Sequence, residues 1–307
     1  MGRILLVANP NASRFTGQLH RQIFSLLSQE HEVTPEWPEG PTEAHQAAEK
    51  AALNGYDVAV AMGGDGVVHH VAAGLAGSNT ALGIIPAGTT NVLARILGIP
   101  RRPLRAARLL TQPHFKTVDV PLARLRGQGQ VHAFSTYATF AVGVGFDAEV
   151  VSHAERRPDR KIYFGGGHYA GSTAWMVLRG FPERRIRFQV TTDHGRAEGV
   201  AVMAQIHYPY TYFGPVPLRI APAQPGKLEI LVLEEVGLRT ALSVAGRAVI
   251  GRRIDHRPGV HLFTDVQRLQ IRSSTPVRAQ ADGELLGLVR ELEIEIVADR
   301  LLAVVDG

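Results

Sequence analysis

A chain of 307 residues, 45% hydrophobic and 20% charged, has room for two domains and a sizeable core, and its composition is that of an ordinary globular protein. Its longest apolar runs fall far short of the roughly 18 to 20 residues a membrane-spanning helix needs, and the lack of cysteine excludes disulfides, thiolate metal sites and a cysteine nucleophile. The net charge of +5, with arginine clusters at Arg95, Arg101, Arg102, Arg105 and Arg108 and again at Arg156, Arg157, Arg160 and Lys161, favours an anionic partner such as an acidic membrane surface. Nucleic acid is not expected, because no recognised binding module is present and aromatics make up only 7% of the chain.

Residues 3–8 read as a first strand rather than a secretory signal, since the apolar run stops at Asn9-Pro10; the expected compartment is the cytoplasm. A helix near 15–29, a strand near Val33, a helix near 43–54, a strand at 57–62, a helix at 67–76, a strand at 81–85 and a helix at 92–97 follow. Short apolar strands alternating with amphipathic helices predict an α/β unit with a mainly parallel sheet. After Phe115 the pattern changes to β-branched or alternating stretches at 134–144, 185–192, 200–207, 228–233, 260–264 and 269–271, which predict antiparallel strands. Two helices, near 166–178 and 239–250, interrupt them; the first, with Trp175, Met176 and Leu178, suits core packing or an interfacial position against lipid. Strands at 292–297 and 301–305 close the chain, with no internal repeat and no low-complexity tract. A homodimer through a sheet edge would cover an exposed strand.

Gly63-Gly64-Asp65-Gly66 is the most informative stretch, lying where the third strand ends and a helix begins. Such a turn bends sharply, brings backbone N–H groups close to a phosphate and offers it the positive end of a helix. Asp65 could hold a metal or accept a proton there. Pro86-Ala-Gly-Thr-Thr-Asn91 repeats the arrangement one βαβ unit later, with Gly88, Thr89, Thr90 and Asn91 at the start of the next helix. Two such loops lie side by side at the carboxyl edge of a parallel sheet. N-capping by the Thr and Asn side chains is the alternative role, and it is compatible with an anion site. His69 and His70 are adjacent on a helix and point about 100° apart, which argues against a shared metal. Asp147 is expected to cap a helix starting near Ala148.

In order, Asn9-Pro10-Asn11, Gly63–Gly66, Pro86–Asn91, Val142-Gly-Val-Gly-Phe-Asp-Ala148 and Asp282-Gly-Glu284 resemble the diacylglycerol kinase catalytic family, in particular the bacterial soluble lipid kinases, over nearly the whole chain. NAD kinases share the Gly-Gly-Asp-Gly turn, but the later segments look like the lipid kinase branch. The resemblance implies an N-terminal α/β domain with a parallel sheet like that of NAD kinases and phosphofructokinases, a C-terminal antiparallel β-sandwich domain, and a cleft between them. It implies a nucleotide-binding domain over residues 1–118, completed by about 291–307, and a lipid-substrate domain over 119–290. ATP and Mg²⁺ are the implied cofactors. The phosphates would rest against Gly63, Gly64, Gly66, Val67, Val68, His69, Gly88 and Thr89, with Asn9 and Asn91 also facing the nucleotide and Asp65 near its Mg²⁺. Glu284 would be the base that deprotonates the lipid hydroxyl.

The chain departs from the family pattern in four places. Val67 stands for a usual threonine, His70 for a glutamate, Val92 for an aspartate, and Gln224-Pro225 for an acidic pair. The last two substitutions remove carboxylates that help hold an accessory Mg²⁺ in part of the family, since a hard cation needs oxygen ligands. The expected function is transfer of the ATP γ-phosphate to a diacylglycerol-like or long-chain-base lipid at a membrane surface. The alternatives are a catalytically impaired nucleotide- or lipid-binding homologue and a soluble-substrate kinase of the NAD kinase type.

Overall fold

The computed structural model describes residues 2–111, 115–129, 132–155, 186–222, 224–237 and 258–306, together with 240, 243, 244, 246, 247, 250 and 254. The chain divides into two compact units, one of Met1–Leu122 with Ala298–Gly307, the other of Ala123–Val297.

The first unit runs β1 (Arg3–Ala8), α1 (Gly17–Leu27), β2 (Glu32–Glu36), α2 (Pro41–Leu53), β3 (Val58–Gly63), α3 (Asp65–Leu75), β4 (Ala81–Pro86), α4 (Val92–Ile96) and α5 (Pro103–Leu109). Its strands pair in parallel in the order β4-β3-β1-β2. All six residues of β3 and of β4 are buried, as expected for central strands covered on both faces by helices. Ile4, Leu6, Val58, Val60, Met62 and Ile85 form the core with Ile23 and Leu27 of α1 and Ala107 and Leu110 beside α5. Thr16 caps α1 by accepting the Leu19 N–H at 3.1 Å, and Pro41 starts α2 where its missing N–H costs nothing.

The second unit contains β5 (Lys116–Gly129, begun in the first unit), β6 (Ala133–Ala138), β7 (Ala141–Gly145), α6 (Phe146–Glu155), β8 (Phe188–Thr192), β9 (Gly195–Gly199), β10 (Ala201–Gln205), β11 (Thr211–Phe213), β12 (Val216–Leu218), β13 (Leu228–Leu233), β14 (Val260–Val266), β15 (Arg268–Ala281) and β16 (Glu284–Val305). Its strands pair antiparallel, β14-β13-β10-β7-β15-β16 in one path, with β8 and β9 joined to the far half of β15 and β6 to β5. Side chains of β5, β7, β8, β10, β13, β15 and β16 share one apolar core. The β15–β16 ladder breaks between Arg272 and Val277.

The stretch expected as one strand over 134–144 is two, β6 and β7, because the N–H groups of Thr139, Phe140 and Ala141 turn to the Asp282 carboxylate. The two strands expected at 292–297 and 301–305 are one, and its last part belongs to the first unit, where Ala303 pairs in parallel with Leu82 of β4. The helix expected at 166–178 lies outside the described residues, and the one at 239–250 lies partly outside them. Among the described residues no helix is long and apolar enough to cross a membrane.

Candidate functional site

Three loops of the first unit leave the carboxyl ends of the neighbouring strands β1, β3 and β4 and are laced together by the backbone. Asn9 N–H donates to Met62 O at 3.0 Å, Ala87 and Gly88 N–H both donate to Gly63 O at 2.8 and 3.0 Å, and Arg14 N–H donates to Ala87 O at 2.9 Å. Asn9 Oδ1 accepts the Asn11 N–H at 2.9 Å, closing a tight turn after β1. The Gly63 and Gly88 loops touch backbone to backbone. A Cβ at Gly88 would lie 2.5 Å from Gly64 Cα and 2.9 Å from Asn91 Oδ1, so only glycine fits. The carboxyl edge of a parallel sheet, with α3 starting at Asp65, is where α/β folds bind phosphorylated ligands.

The side chains in these loops divide their work. Asn91 sits in the left-handed region at φ 51° and turns its amide back on the loop: Oδ1 accepts Gly88 N–H at 3.1 Å and Nδ2 donates to Gly88 O at 2.8 Å. It does not cap α4 with its side chain, and Asp65 performs that task instead, its Oδ1 accepting the Val92 N–H at 2.5 Å. The α4 start is thus capped by a carboxylate from 27 residues away, a role that sequence position hides. Gly64, Asp65, Gly66 and Thr89 are half-buried, whereas Val67, Val68 and His69 are buried. Val67 and Val68 turn into the core, the Val68 N–H donating to Gly64 O at 3.3 Å, and His69 packs edge-on against the His70 ring at 4.9 Å. Arg14, which sequence reasoning passed over, enters the site because its backbone is tied to the Gly88 loop. Asp65 offers one carboxylate, and no group of three or more His, Cys, Asp or Glu side chains gathers among the described residues. That donor set fits a Mg²⁺ held largely by nucleotide phosphates, which needs only one or two protein carboxylates.

Glu284 opens β16 in the second unit, half-buried, directly after a two-residue hairpin turn. Asp282 and Gly283 have φ 54° and 89°, both left-handed, as a type I′ turn demands and as an Asp-Gly pair supplies. The Asp282 carboxylate, 1% exposed, accepts Thr139 N–H (2.7 Å), Thr139 hydroxyl (3.0 Å), Phe140 N–H (2.9 Å) and Ala141 N–H (3.0 Å). It is a clamp that fastens the hairpin tip to the β6–β7 link. On the other side, Gly283 N–H donates to Gln280 Oε1 at 2.8 Å. Asp147 does not cap α6, as the sequence suggested; the helix begins at Phe146, and the half-buried carboxylate accepts the Tyr210 hydroxyl and Gln280 Nε2, each at 2.8 Å. Burial holds the Asp147 carboxyl above its usual range, and the Gln280 and Tyr210 hydrogen bonds draw it back. Burial, then the Asp147 charge, push the Tyr210 phenol well above its usual value, so it stays a donor. Sequence reasoning missed Tyr210 and Gln280; the Gly-Phe-Asp motif signalled Asp147 but gave no partner.

A parallel sheet with phosphate-type loops at its carboxyl edge, followed by an antiparallel β unit, is the fold of the NAD kinases and diacylglycerol kinases. The structure superposes on a crystal structure of a diacylglycerol kinase from Bacillus anthracis with a TM-score of 0.70 at 19% identity, covering 99% of this chain and 97% of that one. Against an NAD kinase from Archaeoglobus fulgidus the TM-score is 0.54 at 13% identity, covering 98% and 93%. Residues 3–123 match the diacylglycerol kinase catalytic domain. The chain is 26% identical to the diacylglycerol kinase of Bacillus subtilis over 298 residues, 94% of this chain and 92% of that protein. It is 36% identical to a Mycobacterium tuberculosis diacylglycerol kinase over 118 residues, 37% of each chain. An uncharacterized protein of Synechocystis is 27% identical over 86% of this chain, a stretch that spans 58% of that relative's length.

Proposed function

We propose that this protein is an ATP-dependent lipid kinase that transfers the γ-phosphate to a hydroxyl of a diacylglycerol-like or long-chain-base lipid, working in the cytoplasm at the inner face of a membrane. The observation that carries the reading is the interlocked set of loops after β1, β3 and β4 at the carboxyl edge of the parallel sheet, with α3 starting at Asp65, a placement that suits a polyphosphate. The first unit then holds the nucleotide, with Gly63, Gly64, Gly66 and Gly88 admitting its phosphates closely, Thr89 offering a hydroxyl and Arg14 a compensating charge. Asp65 would hold the Mg²⁺ that arrives with ATP, and the ion would supply charge neutralisation on the transferred phosphoryl group. The second unit receives the lipid, and Glu284 takes the proton from its hydroxyl as the new O–P bond forms and the bond from the γ-phosphorus to the β–γ bridging oxygen breaks, releasing ADP. The family match and the Bacillus subtilis relative support phosphotransfer. An arginine stripe on α5 supports a peripheral position on acidic lipid.

A second reading rests on one observation. With valine at position 92, the carboxylate that remains, Asp65, is engaged at 2.5 Å by the Val92 N–H, which draws it into helix capping. A nucleotide- or lipid-binding homologue with little turnover would carry such a change.

Transfer of label from γ-labelled ATP to diacylglycerol and long-chain bases in mixed micelles with Mg²⁺ separates the two. Label is expected in an extractable lipid, and Glu284→Gln and Asp65→Asn are each expected to lower turnover at least about a hundredfold. Thermal melting must accompany Asp65→Asn because the same side chain caps α4. Tight ATP binding by the folded wild type without any labelled lipid would overturn the kinase reading in favour of the second.

A further inference from the structure

The Glu284 turn is held from two sides, and only one of them is explained by the hairpin itself. Asp282 fastens it to the β6–β7 link. The other fastening is the Gln280 side chain, whose Oε1 accepts Gly283 N–H at 2.8 Å. An amide can present either end, and what fixes this one lies further back. Gln280 Nε2 donates to Asp147 Oδ2 at 2.8 Å and lies 3.2 Å from the Tyr210 hydroxyl oxygen, while the Tyr210 hydroxyl donates to the same Asp147 oxygen at 2.8 Å. A carboxylate accepts and cannot donate, so it orients both neighbours. The Gln280 NH₂ faces Asp147, and its oxygen is left facing the turn.

We propose that Asp147, acting through Gln280 with Tyr210 as support, is a positioning residue for Glu284. The inference rests on the reading of Glu284 as the base. Two features argue that the group does more than attach α6 to the sheet. First, that attachment already exists one half-turn on, where Arg278 Nε of β15 donates to Glu149 Oε1 at 2.7 Å in a largely buried ion pair. Second, the fold gives up a side chain to seat the carboxylate: a Cβ at Gly143 would lie 1.8 Å from Asp147 Oδ2 and 2.6 Å from Gln280 Nε2. Withdrawing a carboxylate from water is costly, and where only packing is required an apolar residue of similar volume serves as well or better. Burial acting on Asp147 in the raising direction is the measure of that cost.

The test uses Asp147→Asn in the full chain, with Tyr210→Phe as a milder second variant should the first fail to fold. The asparagine keeps the shape but can present an NH₂ to Gln280, freeing that amide to rotate away from Gly283. Four measurements are made: kcat and KM with lipid, ATP affinity, melting temperature, and amide hydrogen exchange at Gly283, Glu284 and Leu285. The expected result is a fall in kcat of roughly ten- to a hundredfold, the scale of a misplaced catalytic group, with ATP affinity and melting temperature held and exchange at those three amides faster. Tyr210→Phe should move the same quantities less. Parallel losses of kcat, ATP affinity and melting temperature would make the network merely structural, and an unchanged kcat with unchanged exchange would overturn the proposal. If the wild type transfers no phosphate, the kinase reading fails separately, and the exchange measurement alone decides whether Asp147 holds the turn.

Discussion

Glu229 lies on β13, 1% exposed, with Oε1 meeting the Asp265 N–H at 3.5 Å and Oε2 without a hydrogen-bond partner among the described residues. Across the ladder it faces Gln205, whose amide is committed to Ala221 O and Ile220 N–H. Burial raises the Glu229 pKa to about 7, the Asp265 N–H pulls it down and the Asp265 charge pushes it up. A carboxyl whose folded pKa lies above its unfolded value binds its proton more tightly in the native state. Its contribution is therefore most favourable below the unfolded value of 4.5 and declines as pH rises through about 7. Glu229→Gln should flatten that decline and raise stability at pH 8 by roughly 1–3 kcal/mol, the cost of an unsatisfied buried polar group. Denaturant titrations of both proteins at pH 5 and pH 8 provide the check; an equal gain at both pH values would show that ionisation is not the cause. The same scale governs the candidate site. Asp65 was legible as the acidic group of a glycine turn, but its bond to Val92 was not, because pairing across 27 residues depends on β3 and β4 lying side by side.

On α5 the buried residues Ala106, Ala107 and Leu109 face the core, while Leu104, Arg105 and Arg108 are exposed, with Arg101 exposed just ahead of the helix. Arg21 of α1 and Arg108 flank a shallow cavity of about 530 Å³ with Gln18, Gln22, Ser25, Gln29, Leu26 and Leu104. None of Arg21, Arg101, Arg105 and Arg108 makes an ion pair among the described residues, so their charge is available to an acidic surface. Each basic residue near such a surface contributes about 1 kcal/mol at ordinary ionic strength. Reversing two of them, Arg105→Glu with Arg108→Glu, should lower partition onto vesicles containing phosphatidylserine at least about tenfold at low salt. Sedimentation with vesicles reads the effect, and unchanged partition would leave the stripe as ordinary solvation. The sequence showed these arginines as a cluster without showing the helix. The apolar face of α5 is only two turns long, too short for periodicity to speak.

At the scale of the molecule, residues Ala298–Gly307 belong to the first unit although all the chain from Ala123 to Val297 lies in the second. Leu301, Ala303 and Val304 are buried there, Gly77 N–H donates to Arg300 O at 2.9 Å, and Arg300 Nη2 donates to Asn79 Oδ1 at 3.0 Å. Ending the chain at Val297 removes roughly 5 kcal/mol of apolar burial, comparable to the whole stability of a domain. The truncated protein should therefore lose the cooperative melting of its first unit and its ATP affinity together; a single sharp transition with ATP still bound would contradict this. The sequence by itself determined the order of strands and helices in the first unit as far as α4, the β character of the second, and the glycine and Asp-Gly turns, because period, apolar runs and turn chemistry are local. Only the tertiary structure decided that 134–144 breaks to serve Asp282, that the last strand is one element, and that Asp147, Tyr210 and Gln280 converge behind Glu284. Asp147 and Gln280 stand 133 residues apart and Asp147 and Tyr210 stand 63 apart. Contacts of that range are set by sheet register and by the space left at Gly143, and no local pattern carries either.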